Sequence, residues 1–243
     1  MIKVQLLGTR NKTDLAIFLA NAVVGQGKRA LIVDCTKEQL YKYGFGHTDS
    51  DSEIFEIQGV DVLTAAVTSW DDVVKATRKE NSDVTNYEIV IVDFDHLAPL
   101  QGDWADFNRT IYTGDNDRFA INRDVELLHS FMDMVGEDLP IQHVHFESAY
   151  HVPAGYLELL MNNRLEFKDI YYEIEYDERL ESIRQSMQHN RIIPQTKISK
   201  EYRVMISEIV ASLYGVTTNE VSEGVEKPSI FSRIFSKPVK AEK

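Results

Sequence analysis

Short apolar runs alternate along this chain with longer stretches in which apolar residues return every three or four positions. IKVQLL (residues 2 to 7) and ALIVD (30 to 34) read as strands. Between them, Leu15, Ile17, Phe18, Leu19, Ala22 and Val23 make a mostly buried helix from about Lys12, stopped near Gly25 and Gly27. KEQLYKYGF gives a short helical piece, EIFEIQ and VDVLTA two extended pieces, and residues 69 to 80 a helix with Ser69 at its N-cap. YEIVIVDFD (87 to 95) is the strongest strand, and its unbroken IVIV core predicts cover on both faces. After a loop rich in Gly, Asp and Asn come a strand at RTIYTG and a helix over roughly 119 to 135. A strand at 141 to 147, a helix at 153 to 163, a strand at 169 to 176 and helices around 178 to 189 and 199 to 214 complete the pattern. Strands alternating with helices predict an α/β fold, a mainly parallel doubly wound sheet with helices on both faces. No internal repeat or low-complexity segment interrupts it, so residues 1 to 215 read as one domain and 216 to 243 as a linker with a short amphipathic helix.

Composition narrows the function classes. The 243 residues are 43% hydrophobic, enough for a full core, and carry a net charge of −13. Residues 226 to 243 hold five basic side chains against two acidic ones, a net of +3, which leaves −16 on the body. Such an acidic body argues against nucleic acid, whose backbone is held by clustered Lys and Arg. With no basic leader and no long apolar run, the reading is a cytoplasmic protein. Cys35, the single cysteine, reads as a small apolar filler.

The stretch LLGTRNKTDL behind the first strand carries the candidate chemistry. A phosphate loop needs glycines that let backbone N–H groups converge on oxygen, a lysine for charge, and a hydroxyl for magnesium. Against the pattern G-x-x-x-x-G-K-[ST], Lys12 and Thr13 fall on the last pair, while Leu6 and Asn11 stand at the glycine positions. The helix N-terminus behind the loop favours anions whatever the glycine count. Asp34 ends the second strand, and Asp93 and Asp95 end the strongest one, at the carboxyl edge where open α/β sheets place ligands. The plainer alternative is a solvated first turn and ordinary strand-end caps.

Taken with that order of elements, these residues resemble the MinD/ParA family of deviant P-loop ATPases. In the seats of the family loop K-G-G-x-G-K-[ST] this chain has Leu7, Gly8, Thr9, Arg10, Asn11, Lys12 and Thr13, of which Gly8, Lys12 and Thr13 agree with the pattern. YEIVIVDFD is similar to the Walker B strand, with Asp93 at its aspartate, and IYYEIEYDERLESIRQSMQHN onward resembles the closing module. The resemblance implies ATP or ADP with Mg held by Gly8 to Thr13, Asp34 and Asp93, with Thr13, Asp34 and Asp93 on the metal and Asp34 as the catalytic candidate. It also implies a homodimer. Three departures weaken the chemistry: Leu7 replaces the lysine that reaches a partner's nucleotide, Thr36 replaces an acidic residue two places after Asp34, and HFESAYH lacks the adenine-contacting asparagine. The resulting expectation is a membrane-associated positioning or assembly factor with weakened or lost ATPase activity. It would be a dimeric scaffold meeting protein partners of a polar, pilus or secretion apparatus. A slow ATP switch is the alternative, and a bacterial tyrosine kinase-like protein, disfavoured by a tyrosine-free tail, is the third.

The tail adds a membrane reading. Ile230, Phe231, Ile234 and Phe235 gather on one side of a helix, and Arg233 and Lys237 can meet lipid phosphates, giving weak peripheral attachment at the inner face of the cell membrane. The same pattern would also fit an apolar groove. His143, His145 and His151 lack the company of a strong metal site and read as strand and loop residues. DSDSE reads as a solvated loop rather than a calcium site.

Overall fold

The computed structural model describes residues 1 to 46, 52 to 136, 139 to 150, 152 to 153, 155 to 162, 164 to 165, 167, 171 to 216 and 218. His151, most of the DSDSE loop and the tail residues Ile230, Phe231, Arg233, Ile234, Phe235 and Lys237 lie outside that set.

Eight strands form one sheet: β1 (Ile2–Leu7), β2 (Ala30–Cys35), β3 (Ile54–Ile57), β4 (Val60–Leu63), β5 (Ile89–Phe94), β6 (Arg109–Asp115), β7 (Ile141–Phe146) and β8 (Tyr171–Ile174). Their spatial order is β3-β4-β2-β5-β1-β6-β7-β8, and every pairing is parallel except β3 with β4. Gln58 and Gly59, both at positive φ (47° and 85°), turn that antiparallel pair within two residues. The central strands β2 and β5 are buried along their whole length, as their unbroken apolar runs require.

The helices divide between the two faces. α1 (Thr13–Val24), α2 (Leu40–Phe45), α7 (Arg179–Asn190) and α8 (Lys200–Tyr214) cover one side, where Leu15, Phe18, Tyr41, Met187, Tyr202 and Ile206 join the sheet in a single apolar cluster. α3 (Trp70–Lys79), α4 (Leu97–Leu100), α5 (Arg118–Val135) and α6 (Tyr156–Leu160) cover the other, where Val73, Leu100, Leu128 and Phe131 pack on Val90, Val92 and Tyr112. Ser69 caps α3 by accepting from the Asp72 N–H at 3.2 Å. α6 is shorter than the 153 to 163 span expected from periodicity. Cys35 is buried within the second cluster. No helix among the described residues is long and apolar enough to cross a membrane.

Candidate functional site

β1 ends at Leu7, and the next five residues turn along the carboxyl edge into α1. Gly8 makes the turn possible. Its φ is +130°, and a Cβ there would stand 2.1 Å from the Thr113 carbonyl oxygen on β6, so no other residue fits against the sheet. Thr9 is tied to α5: its N–H donates to Asp124 Oδ1 at 2.6 Å and its hydroxyl to the Ala120 carbonyl at 3.3 Å. Arg10 turns away from the loop, lying 3.7 Å over the Phe146 ring and 3.7 Å from Asp115. Asn11 Oδ1 accepts from both the N–H (3.1 Å) and the hydroxyl (2.8 Å) of Thr13, a local side-chain turn that leads the loop into α1.

Lys12 points inward, and its side chain is 1% exposed. Its ammonium donates to the Gly8 carbonyl at 2.6 Å and the Phe94 carbonyl at 3.0 Å, and stands 2.6 Å from Asp93 Oδ1. Two of its N–H groups are used by the carbonyls, and the Asp93 contact is an ion pair rather than a hydrogen bond. Asp93 is fully buried, and its other oxygen accepts from the Tyr41 hydroxyl at 2.7 Å. Burial pushes the Asp93 carboxyl above the ordinary range, while Lys12 and Tyr41 pull it down.

Asp34 faces Asp93 across the β2 and β5 register. It accepts from the Thr36 N–H and hydroxyl through one oxygen and from the Tyr41 N–H through the other. Burial raises its pKa to about 6 despite those bonds. Asp95 accepts from the Lys37 N–H at 2.8 Å and sits 2.8 Å from His96 Nδ1. The fold therefore brings Lys12, Asp34 and Asp93 together at the sheet edge and carries Arg10 elsewhere.

Solved structures with the same arrangement of elements identify the architecture. The MinD cell division protein of Aquifex aeolicus superposes with a TM-score of 0.56 at 8% identity, covering 89% of this chain and 98% of that one. The MinC:MinD complex of the same organism matches at 0.53 and 8% over 100% and 99%, and a ParA family ATPase of Chlorobium tepidum at 0.54 and 12% over 86% and 98%. The chain has the MinD/ParA-type P-loop fold. No family model matches the sequence, and no curated protein does.

Within a MinD/ParA frame the loop here is satisfied from inside. In this arrangement the residues do not fit a magnesium-nucleotide. The ammonium that would meet phosphate, both Asp34 oxygens, Asp93 Oδ2 and the Thr13 hydroxyl are hydrogen-bonded to protein, Asp93 Oδ1 is ion-paired with Lys12, and Lys12, Thr13 and Asp93 are shut off from solvent. Asp14 adds a buried carboxylate to the first turn of α1, where it offsets the helix's positive end.

Two members of this network carry no motif and escape a reading based on motifs. Tyr41 sits in a six-residue helix 52 residues from Asp93. Asp124, fully buried, accepts from Tyr112 at 2.8 Å as well as from Thr9, and burial raises its pKa. A signal for it does exist: Ile121, Asp124, Leu128 and Phe131 form one buried stripe of α5, and a carboxylate on such a stripe needs donors.

Proposed function

We propose that this chain is a nucleotide-independent scaffold of the MinD/ParA fold, a dimeric assembly or positioning factor whose ATPase chemistry has been replaced by internal bonding. One observation carries the reading: the P-loop lysine is a buried structural cation, held by Asp93, Gly8 and Phe94, rather than a free donor at the sheet edge. Phosphoryl transfer depends on positioned charge at the reacting groups. Lys12 is spent inside and Asp34 is held by Thr36 and Tyr41, so neither is free to supply that charge. The sequence departures at Leu7 and Thr36 agree with the same loss.

Attachment to the membrane would come from the tail, where Ile230, Phe231, Ile234 and Phe235 stand beside Arg233 and Lys237. Each anchor is weak, and a dimer would join two into an adequate one through effective concentration. Proteins of a polar, pilus or secretion apparatus would be its partners.

Titration of the purified protein with labelled ATP and ADP in the presence of magnesium tests the central claim. The expected result is no saturable binding at millimolar nucleotide. Low micromolar affinity that disappears in Lys12→Ala would replace the scaffold with an ATP-driven switch. Co-sedimentation with anionic liposomes, full-length chain against a chain ending at Glu226, tests the anchor separately, and equal pelleting removes it.

A further inference from the structure

A cavity of about 300 Å³ opens beside the sheet face of β6, β7 and β8, under α6 and away from the P-loop lysine. Parallel register sets Tyr112, His143 and Tyr171 side by side across the three strands, with His145 and Glu173 in the next row towards the carboxyl edge. Phe167 closes the wall, its ring centroid 4.2 Å from His143 and 5.9 Å from Tyr112. The rim carries Glu158 from α6 and Glu173 from β8, and Asp115 lies at the end of β6. Among the described residues, no group of His, Cys, Asp and Glu could hold a metal ion.

His143 is the decisive member. It is 5% exposed, and neither ring nitrogen has a hydrogen-bond partner among the described residues. A buried polar group normally finds one, so an unbonded imidazole lining a cavity marks a place for a ligand atom. Burial lowers its pKa to about 3, which leaves it neutral with one nitrogen able to accept. The surroundings favour positive charge: the Tyr171 hydroxyl is pushed up to about 12, first by burial and then by Glu173, Glu158 and Glu147. Aromatic faces and carboxylates around a neutral acceptor suit a cation that also donates a hydrogen bond.

We propose that this cavity binds a small primary ammonium ligand with a flat apolar body, its N–H groups directed at His143 and its charge at Glu158 and Glu173.

The probe is phenethylammonium, titrated calorimetrically into the full-length protein beside its neutral isostere phenethyl alcohol, with the histidine ¹⁵N resonances followed by NMR. The amine should bind at least about tenfold more tightly than the alcohol and move the His143 nitrogen signals. Glu158→Gln should weaken it about two- to tenfold, the range of one partly exposed charge contact, while Glu38→Gln, exposed after β2 and outside the cavity lining, leaves it unchanged. Tyr171→Leu, at a half-exposed position of the edge strand where folding is not at risk, should weaken it as well. Equal affinity for the alcohol, no binding of the amine, or binding indifferent to both Glu158→Gln and Tyr171→Leu would overturn the proposal.

Discussion

Replacing Lys12 with methionine separates a structural lysine from a ligand-binding one, because the two roles predict opposite effects on the protein alone. A phosphate-binding lysine faces an open site, and its loss leaves folding nearly untouched. Here the ammonium is buried among three acceptors, at 2.6, 2.6 and 3.0 Å. Removing one partner of a buried ion pair costs about 3 to 5 kcal/mol, since the other charge stays behind without compensation. The carbonyls of Gly8 and Phe94 would also lose a donor, though the shorter side chain lets the loop relax. Against a typical total of about 5 to 15 kcal/mol, this is a large share. It corresponds to a fall in Tm of roughly 6 to 20 °C for a chain of this size. Urea denaturation without nucleotide measures it. Two internal checks sharpen the result. Lys12→Met with Asp93→Leu removes both charges and should recover much of the loss. The deficit of Lys12→Met should also shrink as pH falls towards 4. Without its cation, Asp93 titrates higher in the folded than in the unfolded chain, so the stability it contributes is present in its protonated form and lost as pH rises. A loss below about 1 kcal/mol at pH 7 would refute the structural role.

Tyr41→Phe deletes a buried hydroxyl bonded to the same carboxylate and should lower stability by about 1.5 to 3 kcal/mol, read from the urea midpoint. Burial raises the folded Asp34 pKa to about 6, above the ordinary aspartate value of about 3.9, so its contribution is fully present below pH 4 and is lost as pH rises through 6, by at most about 3 kcal/mol. Comparing urea curves of the native chain and Asp34→Asn between pH 4 and 7 should show a flatter profile in the variant, and parallel profiles would remove Asp34 as the source. Gly8→Ala places a methyl group against the Thr113 backbone at a positive φ and should cost more than about 2 kcal/mol, seen as a lower Tm or poor soluble yield.

Much of the fold was legible because its signals are local. The unbroken apolar runs of β2 and β5 have no helical reading at that length, and Ser69 announces α3 by the bond it goes on to make. The antiparallel turn of β3 onto β4 rests on Gln58 accepting a positive φ, which is unusual for that residue and invisible as a motif. At the site, the ends of β2 and β5 and the start of α1 bring Asp34, Asp93 and Lys12 together, so their proximity could be read from the pattern. The direction in which Lys12 points could not. It goes with partners supplied by the loop and by β5, while Tyr41 from α2 and Asp124 from α5 take up Asp93 Oδ2 and the Thr9 N–H, polar atoms an outside partner would need. Such competition is decided by packing between distant segments, and a single sequence does not display it.

The Lys12 ammonium joins the loop after β1, the end of β5 and the start of α1 at one point. A residue held this way is kept by the fold itself, because neither it nor its aspartate can be exchanged alone without breaking the molecule's middle. Descendants of this chain should therefore keep or lose the two together, and a lysine retained before a threonine at the head of such a helix is no testimony that a nucleotide is still being bound.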